Sequence, residues 1–220
     1  QINQAFIYDQ IETIKKIDPT IEFGYFFIKG KGRKGYLQNL KLLKIEMKKG
    51  NYNFIHAHSG DSVLLASLQR IIPVIGTYHG SDLNKKKNRL LSNIANILSK
   101  SSIVVSPKLH EKLWFRKQAH TIPCGVDFDL FYPENQQEVR KRLDISLDKT
   151  MVLFSSAFAN PVKNYELAEK AIRLLNKKDL IVMELKGYER YQIRDLMNAA
   201  DISLMTSFSE GTPQFIKEAM

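Results

Sequence analysis

The sequence lacks several features that mark specialised classes of protein. It has a single cysteine, Cys124, so an internal disulfide cannot form and the disulfide-rich secreted class is excluded. No stretch approaches the ~20 consecutive apolar residues that a membrane-spanning helix requires. The first ten residues also lack the basic-then-apolar pattern of a secretory signal. These absences predict a soluble protein of the reducing cytoplasm.

The composition is that of an ordinary globular protein with an uneven distribution of charge. The 220 residues are 44% hydrophobic and 25% charged, which suits one large domain or two modest ones. Residues 1–130 hold 20 Lys and Arg against 10 Asp and Glu, whereas residues 131–220 hold 13 of each. The first part therefore carries the whole net charge of +10. Such a field favours a polyanion, an anionic membrane surface or a phosphorylated ligand, without choosing among them.

The apolar periodicity alternates between helix-like and strand-like along most of the chain. This alternation predicts an α/β protein with two parallel-sheet units, residues 1–130 and 131–220. The predicted helices span 2–17, 36–49, 61–71, 86–99, 108–117, 135–143, 164–176, 192–199 and 213–220. The predicted strands span 21–28, 53–57, 74–78, 102–106, 120–122, 151–157, 180–185 and 202–206. Because the chain opens inside a helix and closes in the first turns of another, we expect both units to be truncated, with the first strand of the N-terminal unit missing.

Two carboxylates, Glu210 and Glu218, flank the start of the last predicted helix. Thr212 is a candidate N-cap and Pro213 suits the first helical position. Glu210 then lies in a loop at the carboxyl end of a strand, where ligands bind in open α/β sheets. The free N–H groups of Gly211, Thr212 and the first turn favour an anion there. At the rise of an α-helix, the two carboxylates would lie about 10 Å apart, on either side of the helix N-terminus. On spacing alone, two unspecialised glutamates remain the more common explanation.

The surrounding motifs change that balance. The E-x7-E pair in SEGTPQFIKEAM follows LMNAADISLMTSFS, and the chain also contains HAHSGDSVLLASLQ, VIGTYHGSD, IPCGVDFDLF and FANPVKNYELA. Together and in this order, they resemble the signature of the retaining glycosyltransferases of family GT4, the group 1 glycosyl transferases. That family has two facing Rossmann-like domains, the GT-B fold.

The resemblance implies specific roles for residues of both units. Glu210 would contact hydroxyls of the transferred hexose and Glu218 the nucleotide ribose. Lys163 would bind the diphosphate of a UDP- or GDP-sugar, while His79, followed by Gly80, would contact the sugar and donor phosphate. Such preorganised cations and N–H dipoles suit a departing nucleoside diphosphate. Without the resemblance, Lys163 would be taken as an exposed loop lysine before an N-cap, Asn164.

Metal and cofactor chemistry are not expected. His56 and His58 share one strand face, but without a third ligand at a metal-like spacing they are interpreted as structural histidines. The resemblance implies an enzyme that needs no divalent cation and no cofactor besides its donor. One departure weakens the pattern, because the family commonly has Gly-Arg after the first strand of its second domain, where this chain has Ser155 and Ser156.

Basic residues of the first unit indicate its possible partners. Lys29, Lys31, Arg33 and Lys34, with the run from Lys85 to Arg89, fall in predicted loops or helix starts. In enzymes similar to this one the N-terminal domain binds the acceptor and often an anionic membrane, so we expect a glycan or lipid-linked acceptor and peripheral membrane association. A nucleic-acid partner is not expected, since no aromatic platform or recognition helix accompanies the charge.

Two other functions remain open at this stage. One is a sugar-nucleotide epimerase or hydrolase on the same fold, which a side-chain general base other than His79 would favour. The other is a noncatalytic polyanion-binding module, which would bind with a steep salt dependence and ignore sugar nucleotides.

Overall fold

The computed structural model describes residues 5–30 and 32–220 and contains two parallel sheets flanked by helices. The strands are β1 (Ile55–His58), β2 (Val74–Tyr78), β3 (Ser101–Val104), β4 (Ala119–Thr121), β5 (Thr150–Phe154), β6 (Leu180–Glu184) and β7 (Ile202–Leu204). The helices are α1 (Ala5–Ile17), α2 (Gly32–Lys49), α3 (Gly60–Ser67), α4 (Ser81–Asn84), α5 (Lys86–Leu98), α6 (Pro107–His110), α7 (Gln136–Arg142), α8 (Tyr165–Leu174), α9 (Arg190–Ala199) and α10 (Gln214–Ala219).

The first sheet has the order β1-β2-β3-β4, and all three pairings are parallel. Its core includes Val63, Leu83 and Val104, all fully buried. Helix α3 lies close against β2, because a Cβ added at Gly76 would come within 2.6 Å of Cγ1 of Val63. Since parallel strands end at the same edge, the loops after β1 and β2 meet at one side of this sheet.

The second sheet has the order β6-β5-β7, again parallel, over a core that includes Val139, Met151 and Leu196. The start of β7 is held by Asp201, whose Oδ2 accepts hydrogen bonds from the Met151 N–H at 2.7 Å and from Nη2 of the buried Arg140 at 2.6 Å. A strand anchored in this way fixes the direction of the segment that follows it, and that segment leads to Glu210.

The predicted α/β class and most of the predicted elements are confirmed, but the strand over 21–28 is wrong. The backbone of 21–28 belongs to no strand in the described part of the chain. Its apolar and aromatic composition favours a strand, but a strand also needs a neighbouring strand to which it can hydrogen-bond. In the described part of the chain β1 is the edge of its sheet, so the segment over 21–28 does not pair with it. Tyr25 and Phe27 are instead exposed and stack on each other, with Tyr8 stacked on Tyr25.

Two predicted helices are shorter than expected because side chains take up backbone N–H groups. The helix over 108–117 is reduced to α6, since Asn93 Oδ1 accepts from Trp114 N–H at 2.6 Å and Asn96 Oδ1 from Phe115 N–H at 3.3 Å. The helix over 61–71 ends at Ser67, and Gln69 Oε1 accepts from the N–H groups of residues 71 and 72. The apolar periodicity gives no signal for such hydrogen bonds, in which a side-chain oxygen accepts from a backbone N–H group.

No helix in the described ranges has both the length and the apolar character needed to cross a bilayer. Among the basic residues singled out above, Lys31 lies outside the described residues, and Arg33 and Lys34 lie in α2.

Candidate active site

Three histidines lie side by side at the carboxyl edge of the first sheet. His56 and His58 belong to β1, with ring centroids 4.4 Å apart, and His79 directly follows β2. Nδ1 of His58 and Nε2 of His79 share a hydrogen bond of 3.0 Å, and Nε2 of His56 is 2.8 Å from Oγ1 of Thr77. The interpretation of His56 and His58 as structural histidines stays a prediction, and His58 contacts the predicted site residue His79.

Burial keeps these imidazoles neutral. Desolvation lowers the pKa of His79 and of His56 below the usual value. For His58, desolvation and then the charges of His56 and His79 lower the pKa to about 3. At pH 7 the three histidines therefore provide neutral hydrogen-bond donors and acceptors rather than cations.

Asp82 holds the loop that carries His79. Its Oδ2 accepts from the His79 N–H at 2.8 Å, and its Oδ1 accepts from the Gly60 N–H at the start of α3 at 2.9 Å. Asp82 itself is buried. This residue was not recognised from the sequence, although an acidic residue in Gly-Ser-Asp just after a strand is a signal for such backbone capping. Asp82 therefore joins the β1 and β2 loops into one rigid edge.

The glycines of the two units pack against each other at this edge. Gly80 has a φ of 125°, which only glycine adopts without strain, and a Cβ on it would lie 2.9 Å from Cα of Gly211. A Cβ on Gly211 would overlap the carbonyl oxygen of His79. The structure thus brings the predicted residues Gly80 and Gly211 together, with His79 and Glu210 as their immediate neighbours in sequence.

Lys163 and Glu210 form an ion pair within the second unit, Nζ to Oε1 at 2.7 Å, each side chain about a quarter exposed. Lys163 ends a 3-10 turn, Pro161–Lys163, that follows β5. Thr206 fixes this turn, because its hydroxyl donates to the carbonyl oxygen of Lys163 at 3.1 Å. The two residues that the E-x7-E motif and the lysine loop single out are therefore in direct contact.

Glu218 has a different partner. It lies on α10, its side chain only 5% exposed, and pairs with Arg190 at 2.7 Å between Oε1 and Nη1. Gln214 Nε2 donates to the same Oε1 at 3.3 Å. Arg190 was not identified from the sequence, because nothing in the local pattern distinguishes it from other basic residues at helix starts.

The prediction that Thr212 caps the last helix is wrong. Helix α10 begins at Gln214, Pro213 takes the cap position, and the Thr212 hydroxyl donates to the carbonyl oxygen of Val105 at 2.7 Å. The hydroxyl is used instead to join the two units. A contact between Thr212 and the nucleotide-sugar donor stays a prediction. An anion-binding site at the start of this helix stays a prediction as well.

In the part of the chain that the structure describes, no three His, Cys, Asp or Glu side chains are grouped so as to hold a metal ion. The Asp-x-Asp at 127–129 forms a turn, in which Asp127 Oδ1 accepts from the Asp129 N–H at 3.0 Å and Asp129 pairs with Lys16.

Comparison with known proteins identifies the family. A sequence model described as Glycosyltransferase Family 4 matches residues 9–130, more than half of the chain. The chain belongs to glycosyltransferase family 4. A curated relative is TuaC of Bacillus subtilis (strain 168), a protein assigned as a glycosyltransferase of teichuronic acid biosynthesis. It is 28% identical over 201 residues, which cover 76% of this chain and 50% of TuaC.

Solved structures agree on the fold of this family 4 chain. Sucrose-phosphate synthase from Thermosynechococcus elongatus superposes with a TM-score of 0.66 at 17% identity, covering 84% of this chain and 58% of that one. Anabaena HepE, in complex with UDP and glucose, gives 0.64 at 17% identity, covering 96% and 67%. The chain has the GT-B fold and spans about half the length of its curated relative.

Proposed function

We propose that the protein is a retaining glycosyltransferase that moves a hexose from a nucleoside diphosphate sugar to a glycan or lipid-linked acceptor. The observation that carries the proposal is the contact between two loops, one from each unit. One contains His79 and Gly80, and the other contains Glu210, ion-paired to Lys163, and Gly211. A sugar held at this junction would meet a neutral imidazole from one side and a carboxylate from the other.

Lys163 stabilises the leaving group. Departure of a nucleoside diphosphate concentrates negative charge on its phosphate oxygens, and a fixed cation at that point lowers the barrier. The Lys163 ammonium is paired with the Glu210 carboxylate at 2.7 Å. The diphosphate exchanges places with that carboxylate, which releases Glu210 to accept hydrogen bonds from the hexose hydroxyls. We therefore assign charge stabilisation to Lys163 instead of a divalent cation.

Retention needs no side-chain base in this scheme. The bond from the anomeric carbon to the phosphate oxygen breaks, and the acceptor oxygen forms its bond on the same face. The departing phosphate takes the proton of the acceptor hydroxyl. His79, whose pKa burial lowers, is neutral at pH 7 and serves as a hydrogen-bonding group to the sugar.

The relatives indicate which substrates to test first. HepE has been solved with UDP and glucose and with UDP-glucose, which supports a uridine diphosphate donor here. TuaC is assigned to teichuronic acid biosynthesis, which supports an acceptor in polysaccharide assembly.

Thermal unfolding of the full-length protein with UDP, GDP, ADP and their sugars tests the donor proposal. A ligand at 100 times its dissociation constant adds about 2.7 kcal/mol of stability, so the correct nucleotide is expected to raise the Tm by about 5 °C or more. The other nucleotides serve as matched controls for nonspecific anion binding. A Tm unchanged by every nucleotide, with salt-sensitive binding to polyanions instead, would favour the noncatalytic alternative.

We also propose that the first unit rests on an anionic membrane through α2. This helix exposes Leu37 and Ile45 on the same face as Lys41, Lys44 and Lys48. Apolar side chains between lysines suit the boundary between headgroups and acyl chains. Arg89, in contrast, makes an intramolecular hydrogen bond, in which its Nε donates to the carbonyl oxygen of Leu83 at 2.8 Å.

Substitution of Lys41, Lys44 and Lys48 together by Gln is expected to weaken binding to anionic phospholipid vesicles about 100-fold, because each basic residue near such a surface contributes about 1 kcal/mol. Vesicle sedimentation at fixed salt measures the effect. Lys177→Gln with Lys178→Gln, two exposed lysines of the second unit, is the control and should leave binding unchanged. Equal binding by the α2 variant and the wild type would refute the assignment.

A further inference from the structure

Arg190 joins three parts of the chain through one guanidinium group. Its Nη1 is 2.7 Å from Oε1 of Glu218 on α10, and its Nη2 is 3.0 Å from Oδ2 of Asp9 on α1. Its Cζ lies 4.7 Å from the centroid of the Phe131 ring. The ring and the two carboxylates fix the plane and the position of the guanidinium.

The two carboxylate oxygens of Glu218 differ in the hydrogen bonds that they accept. Arg190 and Gln214 both donate to Oε1, and among the described residues none donates to Oε2. Gln214 is itself held in place, since its Nε2 also donates to the carbonyl oxygen of Gly125 at 2.6 Å. A carboxylate held by one oxygen in a nearly buried position presents the other in a defined direction.

We infer that Arg190 is a positioning residue for Glu218: it orients the free carboxylate oxygen toward the ribose hydroxyls of the donor nucleotide. The inference rests on the proposed function, in which Glu218 is the ribose contact. Arg190 need not touch the donor itself. Through Asp9, it also ties this contact to helix α1 of the first unit, so the ribose site is built across both units.

A positioning role differs from a purely structural one in what it does to ribose recognition. A nucleoside diphosphate and its 2′-deoxy analogue differ by one hydroxyl, and only a correctly oriented acceptor distinguishes them. Loss of an arginine that merely stabilises the fold would weaken both ligands equally. Loss of one that orients Glu218 would weaken the ribonucleotide selectively.

Calorimetric titration of the full-length protein with the ribo- and 2′-deoxyribonucleoside diphosphates of its preferred base tests this inference. In Arg190→Met, the ribonucleotide dissociation constant is expected to rise about tenfold, and the ratio of the two constants to fall toward one. Glu218→Gln should give the same ratio, and the double variant should bind no more weakly than Glu218→Gln alone. Arg190→Lys should recover part of the preference, because it restores the charge without the planar group.

Steady-state kinetics provide a second measurement. The KM for the donor sugar should rise in Arg190→Met while kcat changes little, since ribose is bound equally in the ground and transition states. Arg173→Met is the matched control, because Arg173 is an exposed helix arginine paired only with Glu169 in the described structure. Its KM and ribose preference should equal those of the wild type.

The possible failures are distinguishable. A wild-type protein that binds no nucleoside diphosphate refutes the proposed function, and equal wild-type affinity for both nucleotides refutes the ribose contact of Glu218. Wild-type binding with a ribose preference that survives unchanged in both Arg190→Met and Arg190→Lys overturns the role of Arg190 alone. If Arg190→Met fails to fold, Arg190→Lys decides the result through its ribose preference.

Discussion

Replacement of Glu210 by Gln in the full-length protein is expected to lower kcat about 100-fold while leaving the dissociation constant for the nucleoside diphosphate unchanged or slightly smaller. The amide keeps the shape of the side chain but removes the charge that would strengthen hydrogen bonds to the hexose hydroxyls in the transition state. Affinity for the nucleotide should not suffer, because in the proposed scheme Glu210, the ion-pair partner of Lys163, competes with the diphosphate for the ammonium group. Initial rates of sugar transfer and calorimetry with the nucleotide measure the two quantities.

The control for this variant is Glu166→Gln. Glu166 lies on α8 and pairs with Lys170 at the surface, three quarters of its side chain exposed, so its neutralisation should leave both quantities as in the wild type. A Glu210→Gln enzyme that turns over at the wild-type rate would remove Glu210 from the chemistry. A large loss of nucleotide affinity would instead assign this carboxylate to the nucleotide.

Much of the sheet framework was predictable because it depends on short-range patterns. Strand β2 matches its predicted bounds, and β1, β5 and β6 differ from theirs by a few residues. Strands β2, β5 and β6 are mainly apolar segments, so their signal lies within the segment itself. The segment over 21–28 has the same composition but no ladder partner, and composition cannot report a partner distant in the sequence.

The candidate site was predictable in its residue types but not in its pairings. The E-x7-E motif and the loop lysine identify Glu210, Glu218 and Lys163, yet their separation in sequence does not reveal that Lys163 contacts Glu210, or that Arg190 contacts Glu218. Such contacts depend on how strands β5 and β7 pair and how α9 packs against α10. The same is true of His58 and His79, which are brought together by the register of β1 on β2.

Replacement of Lys163 by Met is expected to have the larger effect, a loss of about 100- to 1000-fold in kcat, together with weaker nucleotide binding. The methionine side chain fills a similar volume but leaves the charge that develops on the departing diphosphate without its fixed cation, a loss typical of removing one preorganised electrostatic contact. Lys163→Arg should recover part of the rate, because it restores a cation with a different geometry. Single-turnover rates and nucleotide calorimetry measure the chemical and binding components separately.

The pairing of Lys163 with Glu210 makes a further comparison decisive. Removal of Lys163 alone also leaves Glu210, about three quarters buried, without its ion-pair partner, so part of the loss could come from a displaced carboxylate. Lys163→Met combined with Glu210→Gln removes both charges and relieves that imbalance. If Lys163 acts on the leaving group, the double variant should bind nucleotide as weakly as Lys163→Met and turn over no faster. Recovery of nucleotide affinity in the double variant would show that Lys163 serves only to neutralise Glu210, and the diphosphate contact would then have to come from another residue.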